Sequence, residues 1–253
     1  MRILLPPSET KRDGGTGAPL DAKSLAFPAL STPRAKALGA LTQLARDPDA
    51  MMRALKLGPR LAGEVDRNRR LRTSPTMRVI DRYTGVLFDA LDAASLEADA
   101  REFARETVVV HSALFGFVGA LDEIPAYRLS HDSRLPDLRL KAHWRAPLAA
   151  TLARVPGVIV DLRSEGYVDL GAAPMRDDSV FVRVVSVDES GRRRALNHFN
   201  KRAKGLFTRA FLESRPQIDT IDQLLDWARA VGFRLDAGAS RGSGSLVELE
   251  LVA

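Results

Sequence analysis

The stretch GVIVDLRSEGY, Gly157–Tyr167, decides how the chain is read. An apolar run from Val158 to Leu162, broken only by Asp161, gives way abruptly to Arg163, Ser164, Glu165 and Tyr167. A near-continuous run of branched apolar residues predicts a strand covered on both faces, as in a parallel sheet. Two other stretches share the design. Ile3–Leu5 is ended by Pro6-Pro7 and leads into Ser8, Glu9 and Lys11, while Val108–Val110 leads into His111 and Ser112. Ligands of open α/β sheets bind beyond the carboxyl ends of the strands. If these three strands lie side by side and parallel, their polar ends build one site; strands that merely end in polar loops would build none.

Outward from these strands the apolar spacing alternates between the two periods. Ala37, Leu38, Leu41 and Leu44 recur at helical spacing, and Met51, Met52 and Leu55 follow the Asp47-Pro48 start signal. Helical patterns continue through Arg60–Arg72, through Arg82–Leu96, and from Leu138 to Leu152 around Trp144. Residues 179–199 read as a hairpin, with Val180, Val182 and Val184 on one face and a DESGR turn at 188–192. A basic helix, a helix around Leu224, Leu225 and Trp227, and a strand LVELELV after the Gly/Ser stretch 238–245 complete the chain. No repeat or long linker is visible. The expectation is an α/β (mixed α+β) fold over residues 1–253, one compact domain with a mixed sheet flanked by helices.

Composition narrows the chemistry. The 253 residues include 38 Lys and Arg against 32 Asp and Glu, a formal charge of +6 that favours anionic partners. There is no cysteine, which excludes disulfides, thiolate catalysis and thiolate metal sites. His111, His131, His143 and His198 show no metal-ligand spacing, so no metal or other cofactor is expected. No apolar run approaches a membrane span, and the opening MRILLPP is too short for a leader. A cytoplasmic protein is the expectation.

The cations cluster. In NHFNKRAKGLFTRAFLES, residues 197–214, Phe199, Ala203, Leu206, Phe207, Ala210 and Phe211 fall on one helical face. Lys201, Gly205, Thr208 and Arg209 fall opposite, with Arg202 beside them and Lys204 at the border. Gly205 costs ~1 kcal/mol relative to alanine. Either it opens the cationic face to a phosphate or it is tolerated for packing. A second group, Arg67, Arg69, Arg70 and Arg72, follows LKLGPRLAG, which has the look of a helix–hairpin–helix turn whose amides can bind phosphate. A third run, Arg192–Arg194, lies in the predicted hairpin turn and is expected to be exposed. In LFGFVGALDEIPAYRLSHDSRLP, 114–136, Arg128 can clamp an anion beside Tyr127 or pair with Asp122.

Taken in order, ILLPPSETK, RLAG, YTGVLFDAL, ALFGFVGALDEIPAYRLS, VIVDLRSEGY, KRAKGLFTRAF and GFRLD resemble the YaaA peroxide-stress family over nearly the whole chain. The resemblance implies a cytoplasmic protein that limits iron-driven oxidative damage, a positively charged cleft, and binding to DNA, including duplexes with unpaired regions. It also implies cleft positions at Lys11, Tyr127, Arg128, Glu165, Tyr167, Lys201, Arg202 and Lys204.

Two functions are open on these residues. One is a sequence-independent nucleic-acid binder, with Ser8, Tyr127, Arg128, Tyr167, Lys201, Arg202, Lys204 and Arg209 meeting DNA or a small nucleotide-like anion. The other is an enzyme acting on a nucleotide or nucleobase, with Glu165 as acid–base and Lys11 among its charge stabilisers.

Overall fold

A computed structural model describes residues 1–187, 192–195, 199–238 and 247–252, with backbone only for Ala195 and Phe199. Most of the DESGR turn, His198 and all but the first residue of the Gly/Ser stretch lie outside the described residues.

The strands are β1 (Arg2–Leu5), β2 (Gly17–Pro19), β3 (Pro75–Arg78), β4 (Val108–Ser112), β5 (Gly116–Gly119), β6 (Glu123–Ile124), β7 (Ile159–Asp161), β8 (Ser179–Val187), β9 (Arg193–Ala195), β10 (Arg234–Ala237) and β11 (Val247–Val252). The first five helices are α1 (Ser31–Leu44), α2 (Pro48–Ala54), α3 (Gly63–Arg69), α4 (Val79–Arg82) and α5 (Val86–Leu91). They are followed by α6 (Ala98–Thr107), α7 (Leu140–Ala153), α8 (Glu165–Val168), α9 (Phe199–Ser214) and α10 (Ile221–Ala230).

The main sheet runs β10-β11-β8-β7-β1-β4-β5. Its strands from β11 to β4 are mutually parallel, and β10 and β5 close the edges antiparallel. β9 pairs with Val185–Val187 of β8, past the Ser179–Phe181 segment that β7 occupies, so the expected hairpin is present. The smaller sheet β2-β3-β6 braces the Gly/Pro-rich loop after β1.

The three apolar stretches are adjacent, as required for a shared site. β1 lies between β4 and β7, with Leu5 opposite Val110 and Leu4 opposite Asp161. Ile3, Leu4, Leu5, Val110, Ile159 and Val160 are all buried, because helices and loops cover both faces. From β1 the chain moves to β4 on one side and later returns to β7 on the other. This makes the carboxyl end of β1 a topological switch point, where the flanking connections diverge and leave a crevice.

Buried arginines hold the connections in place. Arg34, wholly buried, donates to the carbonyls of Phe115, Ala26 and Phe117. Arg82, equally buried, donates to those of Arg12, Gly14, Pro75 and Ile124, fixing the loop that leaves β1. Part of the basic excess is therefore structural. The sequence pattern points to α1, α2, α7, α9, α10 and the hairpin; α6, β5 and β10 emerge only in the structure.

Candidate ligand cavity at the strand ends

Beyond the carboxyl end of β1 lies a cavity of about 580 Å³. Pro6–Thr10 form one wall, Thr84–Phe88 a second, and Ser130 and His131 a third, while Ser164, Tyr167, Asn200, Lys201 and Lys204 complete the lining. Sequence order does not bring these segments together; the β7-β1-β4 adjacency does. The Ser8–Thr10 wall is held beside α5 by Thr84 N–H donating to Thr10 O at 3.2 Å and Arg12 N–H donating to Arg82 O at 2.9 Å.

Four sequence candidates line this cavity: Ser8, Tyr167, Lys201 and Lys204. Lys201 is exposed, whereas Lys204 is only 5% exposed. Burial holds the Lys204 ammonium down to about 8, against an opposing pull from Asp161 and with help from Arg183. Tyr167 lies against His131, with ring centroids 5.0 Å apart, and burial raises its hydroxyl well above the usual range.

Three more candidates form the layer behind the Ser8–Glu9 wall. Lys11 Nζ donates to the carbonyls of Ser8 and Glu9 at 3.0 and 3.2 Å, and sits 4.1 Å from the ring centroid of Tyr127 and 5.1 Å from that of Tyr83. Burial above all, then Arg128, lowers its pKa to about 7; Glu64 opposes this. Tyr127 hydrogen-bonds through its hydroxyl to Tyr83 and Ser112, each at 2.7 Å, and burial raises it to about 12. Arg128 pairs with Glu9 and not with Asp122, which instead accepts from the amides of Ala26 and Gly119. Asn68 fixes the loop by bonding both the N–H and the C=O of Arg128, each at 2.8 Å.

The remaining candidates lie elsewhere. Glu165 is exposed and paired with Arg183 at 3.2 Å, and it does not line the cavity. The carboxylate on the wall is Glu9. Arg209 donates to the carbonyls of Leu91 and Asp92 and pairs with Glu213, capping the end of α5. Arg202 lies beside it, in a separate groove with Asp89 and Asp92.

The basic helix corrects its own reading. Thr208 is wholly buried and Lys204 nearly so, not opposite the core and at its border as expected. Gly205 packs against α5, where a Cβ would stand 2.2 Å from the Leu87 carbonyl oxygen. The glycine makes room for a helix, not for a phosphate. The apolar positions Ala203, Phe207 and Phe211 do face the core.

The strand-end polar residues also divide. Arg163 clasps Asp161 through Nε at 2.8 Å and Nη2 at 2.6 Å, both fully buried, and donates to His111 Nδ1 at 2.9 Å. Burial and Arg163 hold His111 well below the usual histidine range, so it is a neutral acceptor and a structural one. In the second cationic group, Arg67 pairs with Asp13 and Glu64, and Arg69 with Asp66. The link between α2 and α3 contains a short 3-10 turn, Pro59–Leu61. Sequence reasoning missed Thr84–Phe88 and His131; the YTG turn before an apolar run and the His131 next to PAYRLS were the available signals.

The chain is of the mixed α/β class, a parallel-centred sheet flanked by helices with a cavity at its switch point. Comparison makes it specific: the family described as peroxide stress protein YaaA matches residues 1–239. A UPF0246 protein of Corynebacterium glutamicum is 42% identical over 238 residues, covering 92% of this chain and 94% of its own. One from Streptomyces coelicolor is 38% identical over 256 residues, covering 100% and 98%. The chain belongs to the YaaA peroxide-stress family. Among the described residues no helix is long and apolar enough to cross a membrane, and no group of three His, Asp or Glu is placed to hold a metal.

Proposed function

We propose that this protein serves peroxide resistance in the cytoplasm by binding DNA, with the strand-end cavity receiving one unpaired nucleotide. The observation that carries this reading is the pair Lys201 and Lys204 on one wall of a cavity of about 580 Å³. That volume lies within the ~300–1,000 Å³ of typical small-ligand sites. Lys201 supplies charge for a phosphate, Tyr167 an aromatic edge, and Ser8, Thr10, Thr84, Ser130 and Ser164 the polar groups that orient a sugar or base. The α2–α3 link supplies a second, helix–hairpin–helix contact to the duplex. Cations that neutralise phosphates displace the counterions held there. Ferrous iron is one of them, so coverage lowers the damage peroxide does at the backbone.

The test is plasmid nicking by ferrous iron and peroxide. Wild-type protein is expected to protect in proportion to DNA occupancy, and a Lys201→Ala/Lys204→Met double variant to protect far less. Equal protection by both, or none by wild type, overturns the reading. An enzyme acting on a nucleotide remains a second reading, favoured by the buried amine of Lys204 and not by Glu165, which lies outside the cavity.

A further inference from the structure

Lys204 differs from the other buried lysine. Lys11 spends its Nζ on two carbonyls and two aromatic rings. Lys204 lines the cavity at 5% exposure, and no described residue accepts a hydrogen bond from its Nζ. The carboxylate that acts on it electrostatically, Asp161, has both oxygens committed to Arg163. A lysine whose task is to hold a phosphate works as a hydrated point charge, which describes exposed Lys201 at the mouth. A desolvated amine without a fixed acceptor has the properties of a nucleophile. Burial lowers its pKa to about 8, which leaves on the order of a quarter of it as free base at pH 7.5. With no cysteine in the chain, no thiol competes for an electrophile.

We infer that Lys204 is a carbonyl-trapping nucleophile, and that the cavity captures the open-chain aldehyde of a 2-deoxyribose phosphate, the sugar left where DNA has lost a base. In the step, Nζ attacks the C1′ carbonyl carbon, a C–N bond forms, and the carbonyl oxygen takes a proton. The resulting hydroxyl then leaves as water with a second proton while the amine nitrogen loses its own, giving an imine. Nothing is oxidised or reduced, and the net change is one molecule of water released. His131 and Tyr167, side by side on the cavity wall, are the groups placed to pass these protons, with the Ser130 hydroxyl 3.4 Å from His131 Nδ1. Lys201 meets the adjoining phosphate.

The inference rests on reading the cavity as a nucleotide site, and the experiment separates the two. Full-length protein is incubated with a labelled oligonucleotide carrying one abasic site, and with 2-deoxyribose 5-phosphate in a parallel arm; sodium cyanoborohydride then reduces any imine to a stable amine. The expected result is a covalent adduct that peptide mapping places on Lys204. It falls at least tenfold in Lys204→Met and Lys204→Arg and persists in Lys56→Ala, which alters a surface lysine beside Asp132. Absence of an adduct in both arms, at concentrations where anisotropy shows the oligonucleotide bound, overturns the inference and leaves DNA binding standing. An adduct with the sugar phosphate but no DNA binding upholds the inference and removes the DNA reading. An adduct mapped to Met1 or Lys201 overturns it, and because mapping uses wild-type protein this outcome does not depend on either variant folding.

Discussion

Gly205 of α9 lies so close to Leu87 of α5 that a Cβ at the glycine would stand 2.2 Å from the Leu87 carbonyl oxygen and 2.8 Å from the Ala90 Cβ. The two helices meet at the backbone, and one of them, α5, forms a wall of the cavity that the other lines with Lys201 and Lys204. A glycine in a helix interior costs ~1 kcal/mol relative to alanine. Here the close contact explains why the position holds glycine.

Gly205→Ala is accordingly expected to destabilise despite the better helix propensity of alanine. The obstacle is backbone, which cannot rotate away, so overpacking of ~3 kcal/mol set against a gain of ~1 leaves a net loss of about 2 kcal/mol. Urea unfolding of the purified variant measures this. A variant as stable as wild type, with only its ligand binding reduced, would return the glycine to the role of admitting an anion.

Lys11 gives a pH signature. Its folded pKa is lowered to about 7 against 10.5 for the free amine, chiefly by burial, with Arg128 and Arg67 adding to the shift and Glu64 and Glu9 opposing it. Between those values the unfolded chain binds the proton and the folded one does not, so stability rises with pH. The slope from one such group is about 1.4 kcal/mol per pH unit. About one unit below pH 7 both states are protonated and the slope vanishes. Lys11→Met removes this contribution, while Lys204, lowered to about 8, still gives its own. The expected outcome is a wild-type minus Lys11→Met stability difference that is flat below about pH 6 and climbs through pH 7 and above. Parallel stability curves would show that Lys11 keeps its proton throughout.

How far the sequence discloses this arrangement depends on what each residue's signal encodes. Ile3–Leu5, Val108–Val110 and Val158–Leu162 are legible as buried parallel strands because such strands need apolar side chains on both faces. Their polar successors are legible as strand ends, and the convergence of Ser8 and Tyr167 follows from strand adjacency. β5 is hidden because Gly116 and Gly119 carry no strand signal, and α6 because its charged face outweighs a short apolar one. Gly205, Thr208 and Lys204 are misplaced by pattern because helical periodicity assigns one apolar stripe, whereas α9 is contacted by α5, α6 and β8 on different sides. Glu165 and Arg209 carry the right chemistry for a site, but whether a charge faces a ligand or an internal partner is set by long-range packing. Arg183 and the end of α5 claim them.

The central claim, that the strand-end cavity engages DNA phosphates through Lys201, is tested most directly by the salt dependence of affinity. A fluorescent duplex with an unpaired loop is titrated by anisotropy over a range of salt concentrations, for wild type and Lys201→Ala. Each lost phosphate contact is expected to flatten the log–log slope by about 0.7–0.9 and to weaken binding to all sequences alike. Identical slopes in the two proteins would contradict the claim.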